Sequence, residues 1–166
     1  MKRLLFCCAA LLAGTAHADT RISGTSVSYK IKTETLSDTN ASMVFIDALE
    51  DPSGKTYVAF VCDLGEPFAR IYSNASLGRT GDTPPVYARA TGGSPRTLNG
   101  TVREDLKTGK PTVLDTTRLS TDQLMRALIG SDRVTVRIER ERMSALILTF
   151  RSAGFTKAWQ AINNCD

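Results

Sequence analysis

Hydrophobic and polar positions along the chain change period several times, and each change marks an element. In TSVSYKIKTE, Val27, Tyr29 and Ile31 alternate with Ser28, Lys30 and Lys32, the period-two pattern of a strand with one wet face. ASMVFIDAL is followed by the turn residues Asp51-Pro52-Ser53-Gly54 and then by KTYVAFVCDL, so the two segments read as a hairpin. In the second of them Val58, Phe60 and Cys62 share one face, and Tyr57, Ala59 and Val61 share the other. Both faces are largely apolar, which predicts an inner strand. After FARIY, the stretch SNASLGRTGDTPP is rich in Ser, Asn, Gly and Pro and reads as an exposed loop. PVYARATGG predicts another strand, and Gly92-Gly93 to Thr101 a loop or turn.

The period then shifts to that of a helix. In LSTDQLMRALIGSD, Ser120 with Gln123 forms an expected capping box, Leu124, Met125 and Leu128 supply an apolar face, and Gly130 is a fitting stop. RVTVRIERERMSALILTF returns to strand period: Val134, Val136 and Ile138 point inward, Arg140-Glu141-Arg142 marks a turn, and Ala145 to Phe150 comes back as a more buried strand. In SAGFTKAWQAINN, Phe155, Ala158, Trp159 and Ile162 recur at helical spacing with Ser152 as the expected N-cap. The single tryptophan, Trp159, lies on that inner stripe, so core packing is a better reading than a ligand-stacking platform. Residues 19–166 thus read as one α+β domain, mainly β. The expected architecture is an antiparallel sheet or sandwich, a short central helix and a C-terminal amphipathic helix.

The opening MKRLLFCCAALLAGTAHADT departs from all of this. A basic start at Lys2 and Arg3, an apolar run from Leu4 to Ala13 and the small-residue exit Ala16-His17-Ala18 follow the plan of a secretory signal peptide, with cleavage expected after Ala18. No other stretch is long and apolar enough to span a bilayer. Removing Lys2 and Arg3 lowers the basic count from 21 to 19 against 17 acidic residues, a net charge of +2 instead of +4. That mild balance gives no electrostatic case for nucleic acid.

Cleavage also removes His17, the only histidine. Catalysis by Ser-His-Asp or Cys-His, and metal sites built on histidine, are then excluded, and no metal or other cofactor is expected. Cys62 and Cys165 remain, and a pair of cysteines in an oxidising compartment reads as a disulfide. The bridge would close a loop of about a hundred residues, worth roughly 4 to 5 kcal/mol as an upper figure. It would staple the last helix to an inner strand.

The order of parts YVAFVCDL, PVYARAT, QLMRALIG, RVTVRIER and LTFRSAGFTKAWQAINNC resembles a group of bacterial periplasmic proteins. That group includes the invasion-associated locus B family and the periplasmic accessory protein of type VI secretion systems. The resemblance spans Tyr57 to Cys165 and rests on spacing. It implies a non-enzymatic, β-rich periplasmic domain with a Cys62–Cys165 pair, and it draws attention to Arg89 and Arg137 on strands.

Arginine supplies 13 of the 19 remaining basic residues. Arg133 and Arg137 align with Thr135 and Glu139 on one strand face, while Arg140 falls on the apolar face near its end. With Arg89, they are candidate contacts for a ligand or partner, since a guanidinium grips phosphate or carboxylate bidentately. A solvated face laced by pairs such as Arg137–Glu139 is the commoner reading of such a strand. Acidic groups occur at Asp47, Glu50 and Asp51, at Asp63 and Glu66, and at Glu104 and Asp105. Turn chemistry explains Asp51 and Asp63 better than a catalytic pair does. Asn40, Asn74 and Asn99 each begin an Asn-x-Ser/Thr triplet and mark expected surface loops. The functional expectation is an exported small binding or accessory domain of the bacterial cell envelope, periplasmic or secreted, whose partner is another envelope protein. A carboxylate-dependent hydrolase of an envelope polysaccharide and a purely structural envelope protein are the alternatives.

Overall fold

The structure, a computed structural model, describes residues 19–166. The expected export segment, with Cys7, Cys8 and His17, lies outside the described residues. The chain opens with β1 (Thr20–Arg21), β2 (Val27–Lys30), β3 (Met43–Asp47), β4 (Tyr57–Asp63) and β5 (Glu66–Tyr72). Then come β6 (Val86–Ala90), β7 (Arg96–Leu98), β8 (Gly100–Arg103), β9 (Val113–Thr116) and the helix α1 (Arg118–Ile129). It closes with β10 (Arg133–Arg140), β11 (Met143–Arg151) and α2 (Phe155–Ala161). The strands form two antiparallel sheets, one of seven in the order β1-β2-β3-β4-β5-β9-β8 and one of four in the order β11-β10-β6-β7.

One apolar core holds both sheets. Val44, Ile46, Val58, Phe60 and Ile71 enter it from the first, and Val86, Val134, Val136, Ile138 and Phe150 from the second, all fully buried. The sheets meet at one corner, where Ala48 bridges Phe150 and the Leu49 amide donates to the Thr149 carbonyl at 2.9 Å. Helix α1 contributes Leu124 and Leu128 to the core and also repairs a gap in the first sheet. β5 pairs with β9 only over Arg70–Tyr72, so the buried Ala69 needs other partners. Its amide donates to the Thr121 hydroxyl at 2.9 Å, and its carbonyl accepts from the Thr116 hydroxyl at 2.8 Å.

The terminal cysteine is held as expected. Cys62 on β4 and Cys165 are bridged across 103 positions with their Cα atoms 5.2 Å apart. Beside the bridge Phe155 and Trp159 close on Phe60, with ring centroids 5.1 and 6.3 Å from it. All three of Asn163, Asn164 and Cys165 have positive φ, a region that asparagine enters more readily than most residues. The Asn40 side-chain amide donates to the carbonyls of Ile162 and Asp166, at 2.8 and 3.2 Å. Asn40 is therefore a clamp on the C-terminus as well as the start of a triplet.

Several boundaries differ from expectation. Helix α1 begins at Arg118 with Thr117 as its N-cap, accepting from the Ser120 amide, because Ser120 instead accepts the Asn99 amide at 2.7 Å. Helix α2 is capped by Gly154 at φ +92°, where an added Cβ would lie 3.0 Å from Ile22 and Thr25; Ser152 bonds the Ser131 carbonyl instead. The stretch after Gly92-Gly93 contains β7 and the start of β8 rather than a loop. β2 stops at Lys30, leaving Ile31 exposed, and β11 is an edge strand with Met143 and Ile147 exposed rather than a buried return. In the Ser/Gly/Pro-rich loop, Leu77 is buried and its amide bonds the Pro111 carbonyl.

Replacing both bridged cysteines with alanine removes the loop constraint, so the unfolding free energy should fall by up to about 4 to 5 kcal/mol, read from denaturant midpoints. Because Trp159 is the only tryptophan, a red shift of its emission in that variant would report undocking of α2; an unchanged midpoint would show that the bridge adds nothing.

Candidate binding groove

Strand alternation gives the seven-stranded sheet a second face, directed away from the core. Across it the registers set Ser28, Phe45, Ala59, Arg70, Asp115 and Thr101 in one row, with Asp47, Tyr57, Tyr72, Val113 and Arg103 in the next. This face floors a groove of about 1710 Å³. One wall is the segment around Ile31–Thr33, and another is the β8–β9 connection, residues 104–112. That connection is shaped by Asp105, whose carboxylate accepts the amides of Lys107 and Thr108 at 2.8 and 3.0 Å and throws Leu106, 99% exposed, out at its tip.

The floor is aromatic. Tyr57 and Tyr72, opposite each other on β4 and β5, stack at 4.6 Å, and Phe45 meets Tyr57 edge-on at 5.9 Å. Partial burial first, then the neighbouring Tyr72 and Asp105, push the Tyr57 pKa up to about 12. In the middle stands Arg70, whose guanidinium forms a fork on Asp115 at 2.5 and 3.0 Å. The same group lies 5.4 Å from the Phe68 ring centroid. The hydrogen bonds that Arg70 donates to Asp115 raise its pKa further above its ordinary value, against the cost of burial. Arg70 thus keeps its charge and its orientation while half-buried.

Seven basic and four acidic side chains line the groove. Asp115 is taken up by Arg70 and Asp105 by its own turn, while Glu104 accepts from the Thr80 hydroxyl at 3.0 Å. Lys30, Lys55, Lys107 and Lys110 stand on the rim without an ion pair among the described residues. The arrangement suits a ligand that is acidic and carries a flat or apolar part.

Of the residues singled out from the sequence, Asn74, Glu104 and Asp105 line this groove, whereas the candidate arginines lie elsewhere. Arg89, Arg133 and Arg137 come together on the outer face of the four-stranded sheet, on β6 and β10. Arg137 donates to Glu139 at 2.6 Å, the expected neighbour pair. Arg140 bonds the carbonyls of Ser76 and Ser144. Among the acids, Asp47 pairs with Arg21 and Glu66 with Arg118, at 2.8 and 2.7 Å, and Glu50 accepts the Thr149 amide. Asp51 is a buried structural node. Its carboxylate accepts from Ser53, Thr56 and Asn74, and the Ser53 and Thr56 hydroxyls hold its pKa below the ordinary carboxylate value. Among the described residues no three His, Cys, Asp or Glu side chains gather as a metal site. Tyr57, Arg70, Tyr72 and Asp115 were missed, although a signal existed: an inner strand apolar on both faces can give only one of them to the core.

A spectrophotometric titration should show one phenol ionising near pH 12, absent from Tyr57→Phe; the neutral phenol's contribution to stability is present below its ordinary value near 10 and is lost as the pH rises to about 12. For Asp51 the sign reverses. Its contribution is present above about pH 4 and is lost as the pH falls through its lowered value, so the acid-unfolding curve of Asp51→Asn should lose that part of its slope. Compared with models of protein families, with curated proteins and with solved structures, the chain matches none.

Proposed function

We propose that this chain is an exported accessory domain of the bacterial cell envelope that acts by binding, and that an acidic, partly apolar segment of another envelope protein lies in the groove of the seven-stranded sheet. The observation that carries this reading is the central Arg70, fixed by Asp115 between Phe68 and Tyr72, under an unpaired basic rim. A fixed guanidinium beside a stacked tyrosine pair offers a carboxylate the N–H groups that Asp115 does not take, and an apolar group a flat partner. The signal-like opening, the disulfide and the resemblance to the invasion-associated locus B group support the compartment.

A carboxylate-dependent hydrolase draws some support from Glu104 and Asp105, which line the same groove. It needs one carboxyl free to protonate a leaving group opposite a second, whereas Asp105 and Asp115 are already taken up by the donors that shape the site. Binding asks nothing more of these side chains than their present positions.

Isotope-labelled protein titrated with soluble envelope proteins, and separately with an acidic aromatic peptide, should give amide shifts concentrated at Lys55, Tyr57, Arg70, Tyr72 and Val113. Arg70→Met should weaken that binding by at least tenfold, the order of one charge-assisted contact, without altering the fold. Shifts confined to other surfaces, or robust turnover of an envelope polysaccharide, would overturn the reading.

A further inference from the structure

The outer face of the four-stranded sheet carries an inference that stands whether or not the groove binds a ligand. Register sets Arg133 directly opposite Arg151, places Thr135 between Arg89 and Thr149, and puts Tyr87, Arg137 and Ile147 side by side in the next row. Four guanidinium groups therefore share three adjacent strands. The single carboxylate among the strand positions of this face, Glu139, is already engaged by Arg137. Arg89, Arg133 and Arg151 are exposed and form no side-chain hydrogen bond or ion pair among the described residues. Like charges set directly opposite on neighbouring strands lower stability, so the fold gains nothing from Arg133 facing Arg151.

We propose that this face docks on an anionic phospholipid surface. The arginines are spread over three strands and do not converge on one point, an arrangement that suits many phosphates without fixed spacing better than one small anion. Guanidinium is weakly hydrated and forks onto phosphate. Tyr87 and Ile147, 39% and 49% exposed in the row with Arg137, and Met143, exposed at the sheet edge, set aromatic and aliphatic groups beside these charges. That combination settles at the boundary between headgroups and acyl chains. A purely acidic polymer would satisfy the charges but gives no role to the apolar row.

The test is co-sedimentation of the exported chain with vesicles of phosphatidylethanolamine and phosphatidylglycerol, beside vesicles of phosphatidylcholine, at low and high salt. Partition onto the anionic vesicles alone is expected, weakened by salt. Arg89→Ser, Arg133→Ser and Arg151→Ser should each lower it about fivefold. Arg118→Ser, which makes the same change in net charge on α1, should leave it unaltered. An unchanged or raised melting temperature in Arg151→Ser separates loss of binding from loss of fold. Failure to bind anionic vesicles, equal weakening by Arg118→Ser, or binding to soluble polyglutamate but not to vesicles would overturn the proposal. None of these results bears on shifts at Tyr57 and Arg70, so the two readings fail separately.

Discussion

The bond between Cys62 and Cys165 joins the end of the chain to an inner strand of the larger sheet, and the burial of Phe155 and Trp159 against Phe60 depends on the same placement. A helix of seven residues has little stability of its own. It persists because its apolar stripe covers the sheet, its entry is fixed by Gly154, and its exit is clamped by Asn40 and the bridge. With that helix in place, the inner face of β2, β3 and β4 is sealed.

Sealing the inner face leaves the outer face of the same sheet free to carry chemistry. Rows of side chains held by paired strands move little relative to one another, so Tyr57 can stack on Tyr72 and Arg70 can be gripped by Asp115 before any ligand arrives. Such preorganisation reduces the ordering cost of binding. The four-stranded sheet repeats the logic with different residues: Val134, Val136 and Ile138 fill the core, and the intervening Arg133 and Arg137 face water. The two outer faces look away from the shared core. In the proposed arrangement one rests on lipid while the other remains open to a protein.

Acidic side chains in this fold mostly serve structure. Asp51 ties the β3–β4 turn to Asn74 beyond β5, Asp105 shapes the wall of the groove, and Asp115 orients Arg70. Each is a carboxylate whose oxygens are already held by donors, which fixes its place in the fold. A general acid, by contrast, must be free to reach a leaving group.

The sequence by itself determined most of the strands, both helices to within a few residues and the pairing of its two late cysteines, because alternation, helical spacing and cysteine count are local or compositional signals. Its misplaced caps show the limit of that reading. Ser120 and Ser152 have the right residue type, but partners distant in sequence, Asn99 and Ser131, took their hydroxyls. The groove was half visible in the two apolar faces around Tyr57, whereas the union of Arg70 with Asp115, 45 positions apart, depends on β5 lying beside β9. Likewise, no local pattern brings Arg151 to face Arg133. Only the tertiary structure decided which strands are neighbours, and in a sheet neighbouring strands fix which side chains meet.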